Sequence, residues 1–92
     1  MKLRQLLFAS VGIAALAGCA GGETTQCTTE PRSAWQDADE FQQKLMNQGY
    51  RINEFKVTEG NCYEIYGFEP DDTKVEIYFN PVDGSIVKRE EG

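Results

Sequence analysis

The apolar side chains of this chain recur with two different periods. The first group recurs in three- and four-residue steps, which is typical of a helix with one apolar stripe. After Gly49 the period changes to two, which is typical of strands with one buried face. The pattern therefore predicts one helix followed by several β-strands. The members of the helical group are Trp35, Ala38, Phe41, Leu45 and Met46.

The helix is predicted over residues 34–48. Ser33 followed by Gln36 fits a capping box, in which the hydroxyl accepts from an early amide and the glutamine reaches back. Gly49 predicts a left-handed end to the helix, with Tyr50 in contact with Leu45 as a Schellman motif prefers.

Strands are predicted over residues 51–58, 62–69 and 74–80, with a short fourth strand at Ile86 and Val87. Placing Val57 opposite Tyr63 and Ile65 opposite Ile77 collects the apolar side chains on one face. The predicted fold class is α+β, with one N-terminal helix packed on a three- to four-stranded antiparallel meander sheet. The apolar face comprises Phe55, Val57, Tyr63, Ile65, Val75, Ile77 and Phe79.

The opposite sheet face is rich in aromatic and acidic side chains. Aromatic rings interleaved with carboxylates are suited to protein binding, because tyrosine supplies contact area at a low cost in entropy. Alternatively, an N-terminal segment tied to Cys62 covers this face, and both interpretations remain open. The candidate protein-binding residues are Glu64, Tyr66, Phe68, Glu76 and Tyr78.

The first nineteen residues have the pattern of an export signal. Lys2 and Arg4 precede an apolar run that ends at Leu16, shorter than the roughly 20 residues that a membrane-spanning helix needs. Leu16-Ala17-Gly18-Cys19 then resembles the bacterial lipobox. The resemblance implies removal of residues 1–18, a diacylglycerol thioether on Cys19 and an acyl chain such as palmitate on the new amino terminus. An ordinary cleaved signal with an incidental cysteine is the alternative.

A lipidated Cys19 predicts that the chain is anchored by lipid to the cell envelope and faces the periplasm. Ala20, rather than an aspartate, follows the cysteine, which favours the outer membrane if the cell is Gram-negative. Residues 19–32 are rich in Gly, Thr and Glu and predict a flexible tether.

Two cysteines remain once Cys19 is lipidated. An even pair in an oxidising compartment predicts a disulfide between Cys27 and Cys62. Closing a loop of this length is worth roughly 3–4 kcal/mol in the chain-entropy model. Two free thiols are the alternative.

Composition excludes several function classes. The net charge of −6 disfavours nucleic-acid binding, because the surface repels phosphates. The chain has no histidine and no G-x-S-x-G segment, so we predict no catalytic residues, no cofactor and no enzyme activity. Asp71, Asp72 and Asp83 are oxygen ligands suited to calcium, but aspartate is also a favoured turn residue. We predict no metal site, and cation or small-ligand sensing and a structural envelope role remain alternatives.

Several segments together resemble a PepSY domain, and the resemblance covers about residues 34–88. Its motifs are short, and Asn80 and Asp83 stand where the family more often has Asp and Thr. The resemblance implies an extracytoplasmic module, here residues 33–92, that binds an envelope protein and possesses no chemistry of its own. A role in modulating or inhibiting an envelope peptidase is the function it implies. The matching segments are Gly49-Tyr50, Cys62-Tyr63-Glu64-Ile65-Tyr66-Gly67, Lys74-Val75-Glu76-Ile77-Tyr78-Phe79 and Asn80-Pro81-Val82-Asp83-Gly84.

Overall fold

The computed structural model of the chain describes residues 24–92. One helix packs on a four-stranded antiparallel sheet in which each strand pairs with the next along the chain. The predicted fold class, an α+β meander with an N-terminal helix, is confirmed. The elements are a 3-10 turn at Arg32–Ala34, helix α1 at Ala38–Asn47, and strands β1 at Arg51–Val57, β2 at Tyr63–Phe68, β3 at Lys74–Phe79 and β4 at Ile86–Glu91.

The predicted signal peptide and the lipidation residue Cys19 lie outside the described residues. Within residues 24–92, no helix has both the length and the apolar character needed to cross a bilayer.

The predicted strand register is confirmed. Val57 pairs with Tyr63, and Ile65 pairs with Phe55 on one side and Ile77 on the other. The inner face, which faces α1, carries fully buried Ile65 and Ile77 at its centre. The register is well specified because a slip of one residue would turn these apolar side chains toward solvent.

Strand β1 departs from the regular pattern at two places. Ile52 pairs with Gly67, whereas Glu54 pairs with Tyr66, so Asn53 forms a bulge between them. The bulge restores Ile52 to the inner face, where it packs against the core. Val57 was expected in this core, but it is 39% exposed, because it lies at the end of an edge strand.

Helix α1 begins later than predicted, and the prediction of a capping box at Ser33 is wrong. The N-cap is Asp37, whose carboxylate accepts a hydrogen bond from the amide of Glu40. Ser33 lies instead within the 3-10 turn. The backbone between turn and helix is held by tertiary contacts, since the Gln36 amide donates to the carbonyl of Pro81.

The end of α1 follows the prediction. Gly49 has φ of +105°, a conformation that glycine adopts without a side-chain clash. The amide of Tyr50 donates to the carbonyl of Leu45, and that of Gly49 donates to Met46. These two bonds define a Schellman motif.

The core beneath α1 is built around the ring of Tyr63. Phe41 and Phe55 each lie with their ring centroid 5.1 Å from that of Tyr63, and Trp35 meets it edge-on at 5.7 Å. The Tyr63 hydroxyl donates to the backbone carbonyl of Gln36 at 2.6 Å. This bond satisfies the only polar atom that the tyrosine side chain brings into the core.

The fourth strand is longer than predicted. It runs from Ile86 to Glu91, and every residue in it is exposed. Lys88 to Glu91 have no apolar alternation, so pairing with β3 rather than burial places them in the sheet. Arg89 forms a bidentate ion pair with Glu69, with both N–O distances 2.6 Å. This pair links β4 to the residue that follows β2.

Candidate functional site

A segment that precedes the helix lies against the outer face, which is the sheet face opposite α1. Cys27 and Cys62 form a disulfide, with their Cα atoms 5.1 Å apart, and the predicted pairing is confirmed. The amide of Cys27 donates to the carbonyl of Gly60 at 2.9 Å. A β-carbon on Gly60 would lie 1.9 Å from the carbonyl oxygen of Thr25, so glycine permits this close approach.

Four of the five candidate binding residues occupy two neighbouring rows that cross the sheet, and Phe68 lies one row further along. In the first row, Glu64 pairs with Tyr78, and Lys56 and Lys88 flank them. The second row carries Glu54, Tyr66, Glu76 and Glu90. Acids and phenols therefore alternate on the two central strands. This pattern brings the carboxyl groups of Glu64 and Glu76 together on a diagonal.

Glu64 is the buried member of the acid pair. Its side chain is only 3% exposed, and its Oε2 atom has no hydrogen-bond partner. Glu76 is partly exposed, and its Oε2 atom accepts a hydrogen bond of 2.9 Å from the hydroxyl of Tyr78. A buried carboxylate with an unpartnered oxygen is costly, so the pair favours an added proton or another positive charge.

The pKa values of the two carboxyl groups are shifted in opposite directions. Burial raises the pKa of Glu64, and its hydrogen bond with Glu76 raises this pKa further. The same hydrogen bond is the main cause that lowers the pKa of Glu76. Burial and the hydrogen bond between the two groups therefore move their pKa values apart.

The two phenols of this face are held in their neutral form. Hydrogen bonding to Glu76 and Glu64 raises the pKa of Tyr66, and burial followed by hydrogen bonding to Glu76 raises the pKa of Tyr78. Both tyrosines therefore remain hydrogen-bond donors at physiological pH.

Each partly exposed aromatic ring of the outer face has a cation beside it. The Lys56 ammonium lies 5.3 Å from the ring centroid of Tyr66, and that of Lys88 lies 5.7 Å from Tyr78. The Arg51 guanidinium lies 4.7 Å from the ring of Phe68. These distances are within the range of cation–π attraction.

A cavity of about 350 Å³ opens between the disulfide-tied segment and the two rows. Thr24 and Thr25 form one side, and the other side includes Glu64, Tyr66 and Tyr78. The outer face is therefore neither fully covered nor a bare flat sheet. The full set of lining residues is Thr24, Thr25, Lys56, Thr58, Glu59, Glu64, Tyr66 and Tyr78.

The structure brings all five predicted binding residues onto one face, at different depths. Glu64 lies buried at the base, whereas Tyr66, Phe68, Glu76 and Tyr78 are partly exposed. Their position leaves the exposed four available to a partner.

Sequence reasoning missed the contribution of the lysines and the threonines. Neither Lys56 nor Lys88 was among the predicted binding residues. Thr24 and Thr25 were assigned to a tether. Strand alternation signals the position of Lys56, but no sequence pattern places the threonines at the same cavity as Glu64.

The three aspartates considered for cation sensing lie in turns and are engaged locally. Asp71 accepts from the amide of Thr73, and Asp83 accepts from that of Ser85. Asp72 pairs with Arg51 at 2.6 Å. No cluster of three or more potential metal ligands occurs in the part of the chain that the structure describes. These contacts are those of aspartates that stabilise turns.

Comparison with known proteins identifies one family. The family model described as peptidase propeptide and YPEB domain, PepSY_2, matches residues 4–90. This match spans nearly the whole chain. No curated protein and no solved structure matches it.

Proposed function

This chain belongs to the peptidase propeptide and YPEB domain family, and on that basis we propose that it is a cell-envelope lipoprotein that binds another envelope protein. The partner we favour is a peptidase, whose activity the module modulates by occlusion. The family match is the observation that carries this proposal, because modules of this family resemble propeptides and bind peptidases or other proteins.

The outer face supports the proposal as the surface of contact. Tyr66, Phe68 and Tyr78 offer aromatic area, and Glu76 offers a charged acceptor beside them. Tyrosines in such settings are common at the centre of protein interfaces. A lysine or arginine side chain already lies against each of these rings, so a partner would displace these cationic groups or bind beside them.

The disulfide supports an orientation in which this face lies near the membrane. Residues 20–26 separate Cys19 from Cys27, and an extended chain of that length spans no more than about 28 Å. With lipid on Cys19, a partner would therefore be bound close to the bilayer. Replacement of Cys19 with alanine should move the protein from the membrane fraction to the soluble fraction, and its persistence in the membrane would contradict lipid anchoring.

Photocrosslinking in intact cells tests the contact surface. A crosslinking amino acid at Tyr66 or Tyr78 should capture one defined envelope protein, whereas the same residue at exposed Met46 on α1 should not. The captured protein is then identified by mass spectrometry and, if it is a peptidase, assayed with and without this chain. Equal capture from Met46 and Tyr66 would rule out the outer face as the contact surface.

Inhibition is the second measured outcome. Added chain should lower the activity of the captured peptidase, and the double variant Tyr66→Ala with Tyr78→Ala should lower it less. Met46→Ala is the matched control, because it removes an exposed apolar side chain from the other side of the sheet. Peptidase activity that is unchanged by the chain would contradict modulation by occlusion.

A further inference from the structure

We propose that the cavity beside Glu64 binds the primary ammonium group of a lysine side chain that the partner protein carries. This inference rests on the proposed function, since it specifies what the partner brings to the outer face. It assigns a role to Glu64, which is too buried to form part of a flat contact surface.

The first argument is the unsatisfied charge of the acid pair. Glu64 is 97% removed from solvent, with no donor to its Oε2 atom. Within residues 24–92, no lysine or arginine forms an ion pair with Glu64 or Glu76 at 4.0 Å or less. Glu64 shares hydrogen bonds with Glu76 and Tyr66, but a buried carboxyl group with one oxygen left unpartnered is still stabilised by a cation that reaches the pair.

The second argument is the shape and chemistry of the cavity. Its volume of about 350 Å³ exceeds what the end of a lysine side chain requires. The rings of Tyr66 and Tyr78 line it, and aromatic faces attract ammonium groups and pack against alkyl stems. An ammonium has three N–H donors, which suits the carboxyl oxygens and the threonine oxygens around this cavity.

The third argument is the position of the chain's own lysines. Lys56 and Lys88 lie over the two tyrosine rings, and they pair with Glu54 and Glu90 rather than with Glu64 or Glu76. The Lys56 ammonium is instead 4.0 Å from Glu54 Oε2. The face therefore already attracts ammonium groups, and the innermost carboxylate is still left without one. Lys56 lines the cavity, so it should compete with an incoming lysine.

A divalent metal fits this cavity less well. Calcium takes six to eight oxygen ligands, and the part of the chain that the structure describes contains no cluster of three or more candidate metal ligands. A single ammonium is satisfied by fewer oxygens.

The test is a titration of the purified protein, followed through the NMR signals of the Tyr66 and Tyr78 rings. n-Butylammonium chloride should shift both signals in the millimolar range, and n-butanol, its neutral counterpart, should not. A peptide with blocked ends and one lysine should bind at least as tightly as butylammonium. A peptide that binds at least tenfold more weakly than butylammonium would show that the cavity takes free amines and would overturn the assignment to a protein lysine.

Four variants locate the binding site. Glu64→Gln should weaken butylammonium binding by at least about tenfold, because it removes the buried charge. Lys56→Gln should tighten binding, because it removes the competitor. Glu40→Gln and Lys44→Gln make the same charge changes on α1, on the other side of the sheet, and should leave binding unchanged. Equal effects of Glu40→Gln and Glu64→Gln would reduce the result to general charge attraction and overturn the proposal.

Folding of each variant is checked by thermal unfolding. If Glu64→Gln does not fold, Tyr78→Phe replaces it, because loss of the hydroxyl that holds Glu76 should also weaken binding. Unchanged binding by Tyr78→Phe in that case would overturn the proposal. A chain that binds butylammonium but captures no partner in cells contradicts the proposed function. A chain that captures its partner but binds no ammonium contradicts only this inference.

Discussion

Ile65 and Glu64 are neighbours on the same central strand, yet they are buried for different reasons. Ile65 is 0% exposed and packs in the apolar core under α1. Glu64 is 3% exposed on the opposite face, which lies next to the disulfide-tied segment and two tyrosines. Apolar packing therefore stabilises the inner face, whereas a covalent link and a polar network organise the outer face. Stability and recognition are thus separated on alternate residues of the same strands.

Removal of the disulfide, which ties the N-terminal segment to the outer face, should have the largest effect on the free energy of unfolding. The double variant Cys27→Ala with Cys62→Ala should lower the free energy of unfolding by about 3–4 kcal/mol, because the unfolded chain regains the entropy of a 35-residue loop. Urea unfolding measures this loss. Wild-type protein in reductant should behave like the variant, and a loss below about 1 kcal/mol would show that the link contributes little.

Truncation at the centre of the inner face should have the next largest effect. Ile65→Ala should cost about 3 kcal/mol in the free energy of unfolding, because the fully buried site leaves a cavity. Val57→Ala is the matched control on the same face. Val57 is 39% exposed, so its truncation should cost less than about 1 kcal/mol. Equal costs would contradict a core centred on β2 and β3.

The start of the helix that covers the inner face gives a smaller effect. Asp37→Ala should cost about 1 kcal/mol, because the carboxylate that caps the amide of Glu40 is lost. Ser33→Ala should change the free energy of unfolding by less than about 0.5 kcal/mol. Thermal unfolding of the two variants shows which residue caps the helix. A larger loss of stability for Ser33→Ala than for Asp37→Ala would place the helix start at Ser33.

The pH dependence of the outer face gives an effect no larger than that of the helix cap. Since the folded pKa of Glu64 is raised above its ordinary value of 4.5, its contribution to stability is fully present below that value and is lost as the pH rises through the folded pKa. Glu76 acts in the opposite sense, because its pKa is lowered. Glu64→Gln should therefore raise the free energy of unfolding at neutral pH by about 1 kcal/mol and leave it little changed at low pH.

The comparison of wild type with Glu64→Gln across the pH range isolates the Glu64 contribution. Glu40→Gln on α1 provides the control for a simple change of net charge. A wild-type protein that gains stability relative to Glu64→Gln as the pH rises would contradict a raised pKa for Glu64.

Much of the fold was predictable because the sheet pattern is strong. Alternation along three strands, with turns between them, determines the pairings of Ile65 with Phe55 and Ile77. Gly49 marked the helix end because its positive φ is a local requirement. The helix start was missed because the local signal at Ser33 competes with tertiary bonds around Gln36 that no local pattern records.

The candidate site was only partly predictable. Strand alternation placed Glu64, Tyr66, Glu76 and Tyr78 together, but it carries no information about depth. The burial of Glu64 beside Thr25 and the cavity between them depend on the path of a segment without periodic pattern. The length of β4 was missed for a related reason, since hydrogen bonds to β3 rather than apolar side chains hold it in the sheet.

The covalent link between Cys27 and Cys62 also determines how tension would pass through the molecule. A force applied at the amino terminus would reach Cys62 directly and bypass the 34 residues between the two sulfurs, including α1 and β1. With the carboxyl terminus held, the pull would then be resisted by the backbone ladder between β2 and β3, while α1 and β1 lie outside the path of the force. Once the sulfur–sulfur bond is reduced, the same pull would peel away the helix first.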